Sequence, residues 1–329
     1  DFLESEIRAG SAVLFKRTSS LWSVENQFTH PNGRGPHYFG SSVAVDGQSV
    51  LIGAPSDRVV GTNGGSASLF TRTDTGWAPD GFFTVEAGEA GTLFGHSVSL
   101  RGNVALVGVP REDRAGGIDA GSVYAFARDE AGWKLETILT DSAGGTNDQF
   151  GSSVCFDGTY GIVGAPFDDT IAGSDAGSAC IFARLGRQWF QRARILDPEG
   201  AAGDRFGSSV FIQSDYALVG SQSDDTLAGT DAGSASVFAL SGNIWTRQAK
   251  ILDPGGAPGD NFGSSVAMQG NSVLIAAPLD NTTRGTDTGS VSAFVRQGDV
   301  WSPEIKLEDS GGANGDQFGF AIGFDGETA

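Results

Sequence analysis

The chain has few basic residues and no long apolar run. Its 329 residues include 21 Lys and Arg against 40 Asp and Glu, which gives a formal net charge of −19. We therefore do not expect nucleic acid as a partner, because phosphate backbones bind basic patches. No apolar segment approaches the ~20 residues of a membrane-spanning helix, so we expect no membrane insertion.

The chain also lacks an initiating methionine and a signal-peptide pattern, since it begins with Asp1. We expect a processed product or a fragment of a longer protein. High acidity with only four lysines fits a saline or extracellular setting, although net charge also serves solubility alone. The expected location is extracellular or at the cell surface, as a secreted protein.

Repetition is the most informative feature that is present. Phe-Gly pairs fall at 39–40, 94–95, 150–151, 206–207, 262–263 and 318–319, so successive pairs are 55 or 56 residues apart. A Gly-Ser pair, an alternating apolar run and a Trp recur six times, starting at Gly10, Gly65, Gly121, Gly177, Gly233 and Gly289. A period of this size is typical of solenoids, propellers and arrays. No linker interrupts it, so we predict a single domain over 1–329.

One repeat has the pattern of four antiparallel strands. Residues 150–157 alternate between a bulky and a small face, and Asp157-Gly158 predicts a tight hairpin. The further strands are predicted at 160–166, 177–184 and 189–196. Four-stranded units repeated about six times are typical of an all-β propeller. A β-solenoid is the alternative, but its rungs are shorter.

A second signature follows the Phe-Gly pairs about 14 residues later. It is Gly53-Ala54-Pro55, Gly108-Val109-Pro110, Gly164-Ala165-Pro166, Ala276-Ala277-Pro278, or Gly220-Ser221 without Pro. The chain therefore resembles the FG-GAP repeat of integrin α-subunit propellers and of many secreted bacterial proteins. The resemblance implies a propeller fold and says little about function, because one scaffold serves many tasks. The calcium loop of integrin-like members is not implied, since tight turns such as Asp46-Gly47 replace the D-x-D-x-D-G motif.

We predict six blades, with one blade split between the chain ends, at 1–29 and 318–329; part of a seven-bladed ring is the alternative. Residues 10–29 supply its third and fourth strands and 318–324 its first strand, but a second strand is missing. Because unpaired strands are costly, we expect residues 1–7 to fill the gap as a hairpin. The alternative is a strand from another molecule, which would make the protein a self-assembling subunit.

Residues that recur once per repeat are interpreted as packing elements. A Trp opens every fourth strand, which favours packing between blades over sugar-stacking platforms. The Ser-Ser of the Phe-Gly-Ser-Ser-Val segment is interpreted as a hydrogen-bonding element and not as a nucleophile. Cys155 and Cys180 fall on the first and third strands of one blade, ~9.5 Å apart and beyond disulfide reach. We expect both to be small buried side chains.

Acidic residues concentrate on loops that antiparallel alternation places on one face, namely the 2–3 loops and the loops that cross between blades. Asp204 is expected to approach Asp224, and Asp260 to approach Asp280. One interpretation is a set of sites for Ca²⁺ or another cation, at Asp168, Asp169, Asp175, Asp204, Asp224, Asp225, Asp231, Asp260, Asp280 and Asp287. The other, favoured by near-identity between repeats, is turn capping. No cofactor is expected to be required.

The first two repeats depart from this acidic pattern, and such a departure is where selection other than folding can show. A ligand site is therefore predicted at Arg58, which Val59 and Val60 follow, and at Arg111, Glu112, Asp113 and Arg114. Glycosylation is predicted at Asn281, in the only N-x-S/T sequon, if the source is eukaryotic.

Two of the three histidines, His30 and His37, share one crossing loop with Arg34 between them. They could hold a metal or an anion, but no carboxylate or nucleophile accompanies them locally. We interpret them as surface loop residues.

These features predict a non-enzymatic binding or adhesion propeller that acts through its acidic, loop-rich face. The expected partner is a protein or a glycan at the cell surface. No acid–base pair stands out among so many equivalent aspartates, so we do not expect an enzyme. Two alternatives stay open: a fibre or surface-layer subunit joined to other copies through the incomplete blade, and a carbohydrate-binding lectin.

Overall fold

The computed structural model describes residues 9–19, 21–33, 37–58, 63–85 and 90–329. The described residues form strands, turns and bridges, and no helix. None of these residues therefore belongs to a helix that is long and apolar enough to cross a membrane. The prediction of an all-β protein is confirmed.

Two compact units divide the chain, Asp1–Gly151 and Ser152–Ala329. The first unit contains one two-stranded sheet, with β1 (Ala12–Thr18) and β2 (Leu21–Phe28). Its first four-stranded sheet has β3 (Ser42–Asp46), β4 (Ser49–Ala54), β5 (Ser66–Thr73) and β6 (Gly76–Phe83). Its second has β7 (Val98–Arg101), β8 (Val104–Val109), β9 (Ser122–Asp129) and β10 (Gly132–Leu139).

The second unit contains three four-stranded sheets. The first has β11 (Ser153–Phe156), β12 (Tyr160–Ala165), β13 (Ser178–Leu185) and β14 (Gln188–Ile195). The next has β15 (Phe206–Gln213), β16 (Tyr216–Ser221), β17 (Ser234–Ser241) and β18 (Ile244–Ile251). The last has β19 (Val266–Gln269), β20 (Ser272–Ala277), β21 (Ser290–Gln297) and β22 (Val300–Leu307).

Every four-stranded sheet is antiparallel and follows chain order, which is consistent with a β-propeller. The predicted second, third and fourth strands of the third repeat agree with β12, β13 and β14 to within one residue. The Asp157-Gly158 hairpin is also confirmed, because Asp157 Oδ1 accepts the amides of Thr159 and Tyr160 at 2.7 and 2.8 Å. The blade count and the single-domain boundary stay predictions.

The predicted start of the first strand, at Phe150, is wrong, because β11 begins at Ser153. Phe150 instead forms a parallel bridge with Gly121. A Cβ on Gly121 would lie 2.2 Å from the Phe150 carbonyl oxygen, and its φ is 82°, so this junction requires glycine. The Phe-Gly pair therefore joins the start of one third strand to the next repeat.

The prediction for residues 318–324 is also wrong, since they form no strand. Ile322 and Phe324 pack against a cluster that includes Leu274 and Val291, and the Ile322 amide donates to Ser265 Oγ at 3.1 Å. Contacts of two half-buried side chains and one hydrogen bond thus hold this segment without a strand ladder. The strands predicted within 10–29 are confirmed as β1 and β2. The hairpin predicted over 1–7 lies outside the described residues.

Within each unit the core lies between consecutive sheets. One cluster joins Ile162 and Ile181, on β12 and β13, to Ile212 and Val219, on β15 and β16. The predicted packing role of tryptophan is confirmed for Trp133, which meets Phe83 of the preceding sheet edge-on with ring centroids 5.9 Å apart, but not for Trp22, which is 54% exposed. The Trp301 indole likewise donates to Gln248 Oε1 at 3.1 Å.

The positions of the serines and cysteines in the sheets also test their predicted roles. Ser153 Oγ donates to the Gly207 carbonyl at 2.8 Å, and Ser209 Oγ to the Gly263 carbonyl at 2.7 Å, so this serine is a hydrogen-bonding element. Cys155 and Cys180 lie on β11 and β13, and no disulfide bond joins these two described residues. Cys180 is buried as expected, whereas Cys155 is only half-buried.

Candidate functional site

A buried carboxylate recurs three residues after the end of each second strand. Each one accepts a hydrogen bond from the serine that begins the third strand of its own sheet. The pairs are Asp57 with Ser66, Glu112 with Ser122, Asp168 with Ser178, Asp224 with Ser234, and Asp280 with Ser290. The backbone carbonyl of the same acid accepts the glycine amide just before that serine, as Asp280 does from Gly289 at 3.0 Å. The acid therefore closes the 2–3 loop.

In the second unit a cation from the fourth strand meets this carboxylate. Lys250 Nζ lies 2.6 Å from Asp224 Oδ2 and 3.1 Å from Asp197 Oδ2. Lys306 repeats this arrangement with Asp280 and Asp253, and Arg194 pairs with Asp168. Burial disfavours the charged ammonium, but the carboxylates outweigh it and raise the pKa of Lys250.

The last aspartate of the crossing loop completes both lysine clusters. The Ser223 amide donates to the Asp204 carbonyl at 3.3 Å, which brings Asp204 beside the loop of Asp224 as predicted. Burial raises the pKa of Asp204 to about 6, and the charge of Asp224 adds to it, against the opposing Ala201 amide and Lys250. Burial raises the pKa of Asp260 in the same way, near Asp280. These carboxylates converge on a lysine of the protein itself.

Asp169, Asp175, Asp225, Asp231 and Asp287 are exposed, and two of them, Asp169 and Asp225, cap turns. Asp169 Oδ1 accepts the Asp175 amide at 3.0 Å, and Asp225 Oδ1 accepts the Asp231 amide at 2.9 Å. Asn281 holds the equivalent position and accepts the Asp287 amide at 2.9 Å. Calcium binding by these loops and glycosylation of the exposed Asn281 stay predictions.

The irregular segment Arg111–Arg114 is partly used to hold its own loop. Arg114 Nη2 lies 2.6 Å from Glu112 Oε2, and the Tyr124 hydroxyl donates to Glu112 Oε1 at 2.7 Å. Burial raises the pKa of Tyr124, and its bond to Glu112 adds to this. Asp113 Oδ1 accepts the Asp119 amide at 2.9 Å. Arg111 and Arg58 are exposed; Val59 and Val60 lie outside the described residues, and ligand binding here stays a prediction.

The interpretation of His30 and His37 as surface residues is wrong. Both are buried, at 4% and 8% exposure, and their rings stack with centroids 4.3 Å apart. The carboxylate that the local sequence lacks is Asp57, which the fold brings from the next 2–3 loop. His30 Nε2 lies 2.8 Å from Asp57 Oδ2, and His37 Nδ1 lies 3.0 Å from Asp57 Oδ1.

Electrostatics set the charges of this cluster. Burial favours a neutral Asp57, but hydrogen bonds from His30 and Ser66 outweigh it and lower the pKa of the carboxyl. Burial lowers the pKa of His37, although Asp57 opposes the shift. Among the described residues, these three are the one group of His, Cys and acidic side chains whose ligand atoms all lie within 4.8 Å of one another.

The signal for this cluster was present in the repeat. His30 lies two residues after the end of β2 at Phe28, as Asp197 lies two residues after Ile195. His37 lies two residues before Phe39, as Asp204 lies two residues before Phe206. Comparing the repeats position by position would have placed both histidines beside Asp57. Arg34, between them, lies outside the described residues.

The matches to a known repeat family recur once per four-stranded sheet. The FG-GAP repeat family matches residues 22–70, 82–126, 133–182, 189–238 and 245–294, which together are more than half of the chain. The chain belongs to the FG-GAP repeat family. The match at 22–70 begins in β2, and each later match begins in the fourth strand of one four-stranded sheet; all five end in the third strand of the following sheet. The comparison with curated proteins finds no match.

Proposed function

We propose that this FG-GAP repeat protein is a non-enzymatic binding or adhesion module that acts outside the cell through its acidic 2–3 loops. The observation that carries the proposal is a pair of apolar tips on these loops. Ile171 and Leu227 are 100% and 104% exposed. Isolated exposed residues of this kind, held on rigid loops, suit anchoring in an apolar hollow of a partner.

The surroundings of the tips indicate the chemistry of that partner. Asp169 and Asp175 are exposed on the loop of Ile171, and Asp225 and Asp231 on the loop of Leu227. A protein surface with an apolar hollow and a basic rim would complement them. A small cavity beside Leu227, lined by Leu252 and Pro254 among others, gives the same loop a partly apolar recess.

The loops are also firmly anchored, which lowers the entropy lost on binding. The buried Asp168 and Asp224 tie the base of each loop to Ser178 and Ser234. The Thr170 and Gly173 backbones pair across the tip, and so do those of Thr226 and Gly229. These contacts leave the apolar side chains pointing into solvent from a fixed frame.

The proposal is tested with fluorescent chain on a panel of bacterial and animal cells. We expect the double variant Ile171→Asp/Leu227→Asp to lose at least roughly tenfold in binding, because both anchors are removed. The matched control is Leu185→Asp, an exposed leucine on the β13–β14 hairpin. Binding that resists protease but not glycosidase treatment of the cells would favour the lectin alternative. No binding, or equal loss in both variants, would contradict the proposal.

Self-assembly is the second candidate, and one observation favours it. Phe15 on β1 and Phe70 on β5 each follow a β-bulge at the equivalent position of their strand. Phe15 is 52% exposed, whereas Phe70 is 7% exposed. Val13, Leu21, Trp22 and Val24 of this two-stranded sheet are exposed as well. Such a sheet suits strand addition by another copy.

Light scattering decides this second candidate. Assembly predicts a solution mass that is a multiple of 33.9 kDa and falls to a single chain in the variant Phe15→Ser/Val24→Ser. A wild-type chain that stays at 33.9 kDa over the accessible concentration range would exclude it.

A further inference from the structure

The β3–β6 sheet keeps the layout of the carboxylate–lysine clusters but changes its chemistry. In the β15–β18 sheet the cluster consists of Asp197, Asp204 and Asp224 around Lys250. The equivalent positions in the β3–β6 sheet are His30, His37, Asp57 and Phe82, in that order. Lys250 is the second-last residue of β18, and Phe82 the second-last of β6. The backbone confirms the equivalence, because the Ser56 amide donates to the His37 carbonyl as Ser223 does to Asp204.

This exchange removes the cation that the protein supplies elsewhere. Three carboxylates around an ammonium become two imidazoles and one carboxylate beside an apolar ring. Phe82 meets the His30 ring edge-on, with centroids 6.1 Å apart, so it contacts the cluster without offering a charge. The site retains one buried carboxylate, Asp57, and lacks the lysine.

The two ring nitrogens of His37 also suggest that this cluster holds a ligand. Neither ring nitrogen of the buried His37 makes a hydrogen bond of suitable geometry with the described residues, although Nδ1 lies 3.0 Å from Asp57 Oδ1. Buried polar groups are normally satisfied, and an orphaned one calls for an explanation. A metal ion between Nδ1 and the carboxylate would satisfy a nitrogen that lies 3.0 Å from Asp57 Oδ1 without good hydrogen-bond geometry.

We propose that His30, His37 and Asp57 bind a divalent transition-metal ion of the Zn²⁺ class, in the position that a lysine ammonium holds in the β15–β18 and β19–β22 sheets. Imidazole nitrogens favour Zn²⁺ and its neighbours over Ca²⁺ and Mg²⁺, which prefer oxygen. Three protein ligands leave a fourth position open. Tetrahedral Zn²⁺ with bonds of ~2.05 Å holds its ligand atoms roughly 3.3 Å apart, and the three ligand atoms here already lie within 4.8 Å of one another.

Metal binding must move one proton from one ring nitrogen of His30 to the other. His30 Nδ1 accepts the Asn32 amide at 3.2 Å, so in the metal-free cluster the proton of a neutral His30 lies on Nε2, toward Asp57. The metal takes the Nε2 lone pair, the proton is transferred through solvent to Nδ1 so that the imidazole stays neutral, and the amide of the exposed Asn32 turns to water. The Ser66 hydroxyl continues to orient Asp57 through its 2.6 Å hydrogen bond. The ion would thus join the crossing loop of both histidines to the 2–3 loop of Asp57.

The test compares three forms of the full chain, titrated calorimetrically with Zn²⁺ alone and followed by the visible absorption of Co²⁺. The variant His30→Asp/His37→Asp/Phe82→Lys rebuilds the cluster of the β15–β18 sheet and is therefore expected to fold. The control His96→Gln removes the third histidine, which lies outside the cluster. Far-ultraviolet circular dichroism checks that every form is folded.

We expect one equivalent of Zn²⁺ in the wild type and in His96→Gln, with a rise in thermal midpoint that EDTA reverses. The triple variant should bind at least roughly 100-fold more weakly and give no tetrahedral Co²⁺ bands. Millimolar Ca²⁺ should not compete. Equal Zn²⁺ binding by the triple variant would assign the ion to surface carboxylates and overturn the proposal, as would a wild type that binds no Zn²⁺.

Discussion

Ser290 Oγ donates a 2.6 Å hydrogen bond to Asp280 Oδ2, and both side chains are buried. Because the same serine–carboxylate pair recurs in each four-stranded sheet, it is a unit of the fold. We expect Ser290→Ala to lower the free energy of unfolding by about 1–3 kcal/mol, since a buried carboxylate loses a donor. Denaturant unfolding measures this. Ser310→Ala, at an exposed turn, is the control and should change little; equal effects would contradict the role of the pair.

Lys250 gives a second prediction, because it lies between two buried carboxylates. Lys250→Met should destabilise the protein by about 2–4 kcal/mol, since Asp197 and Asp224 lose their shared counter-charge. Lys134, which makes an exposed pair with Asp129 at 3.1 Å, offers a matched control. Lys134→Met should cost less than about 1 kcal/mol. Thermal and urea unfolding of both variants measure these losses. Equal losses in the free energy of unfolding would refute the prediction.

A pH dependence follows from Asp204. Its pKa is raised from 3.8 to about 6 in the folded protein, so the folded chain keeps this proton where the unfolded chain has lost it. The stabilising contribution is complete below about pH 4 and is lost as the pH rises through 6. Asp204→Asn should therefore raise the free energy of unfolding by about 1–3 kcal/mol at pH 7 and leave it nearly unchanged at pH 4.

Urea unfolding between pH 4 and 8 measures the Asp204 effect. The asparagine keeps an oxygen for the Ala201 amide, which donates to Asp204 at 2.6 Å. Asp260→Asn should behave in the same direction, because burial raises the pKa of Asp260 as well. A difference between variant and wild type that does not depend on pH would show that ionisation is not the cause.

Glycine at the junction between repeats gives a fourth prediction. Gly65 has a φ of 82°, and an added Cβ would lie 2.2 Å from the Phe94 carbonyl oxygen. Gly102 also has a positive φ, 55°, but has nothing within 4 Å of the Cβ position. Gly102→Ala should cost about 1 kcal/mol from backbone strain alone, whereas Gly65→Ala should cost more than about 4 kcal/mol or prevent folding. Comparable thermal midpoints of unfolding for the two variants would contradict the requirement for glycine at the junction.

Much of the fold was predictable because strand patterning is local. The limits of β12 and β13 follow from apolar runs that turn residues bound, β14 follows from the Trp that opens each fourth strand, and the propeller-type repeat follows from the 55- and 56-residue spacing. The first strand was misjudged at Phe150, since its bridge to Gly121 is a contact between distant residues. The strand predicted at 318–324 was wrong for a related reason. A sequence with strand patterning forms a strand only where a partner strand pairs with it.

The candidate site was less accessible, because its chemistry depends on which side chains meet. The approach of Asp204 to the Asp224 loop could be predicted, since alternation places both loops on one face. That Lys250 lies among these carboxylates could not, because a lysine near the end of a charged strand has the pattern of an exposed residue. Asp57 was missed as the partner of His30 and His37, which precede it by 27 and 20 residues.

The sequence by itself determined the all-β class, the repeated four-stranded unit and membership of the FG-GAP repeat family, because these depend on periodicity and on short motifs. Only the tertiary structure decided what the recurring acids do. Burial next to Ser234 and Lys250 makes Asp224 part of the scaffold, while Asp225, its neighbour in sequence, caps an exposed turn. Burial also turned two loop histidines into a cluster with Asp57. Solvation and the distances between loops set these roles, and neither is encoded in local spacing.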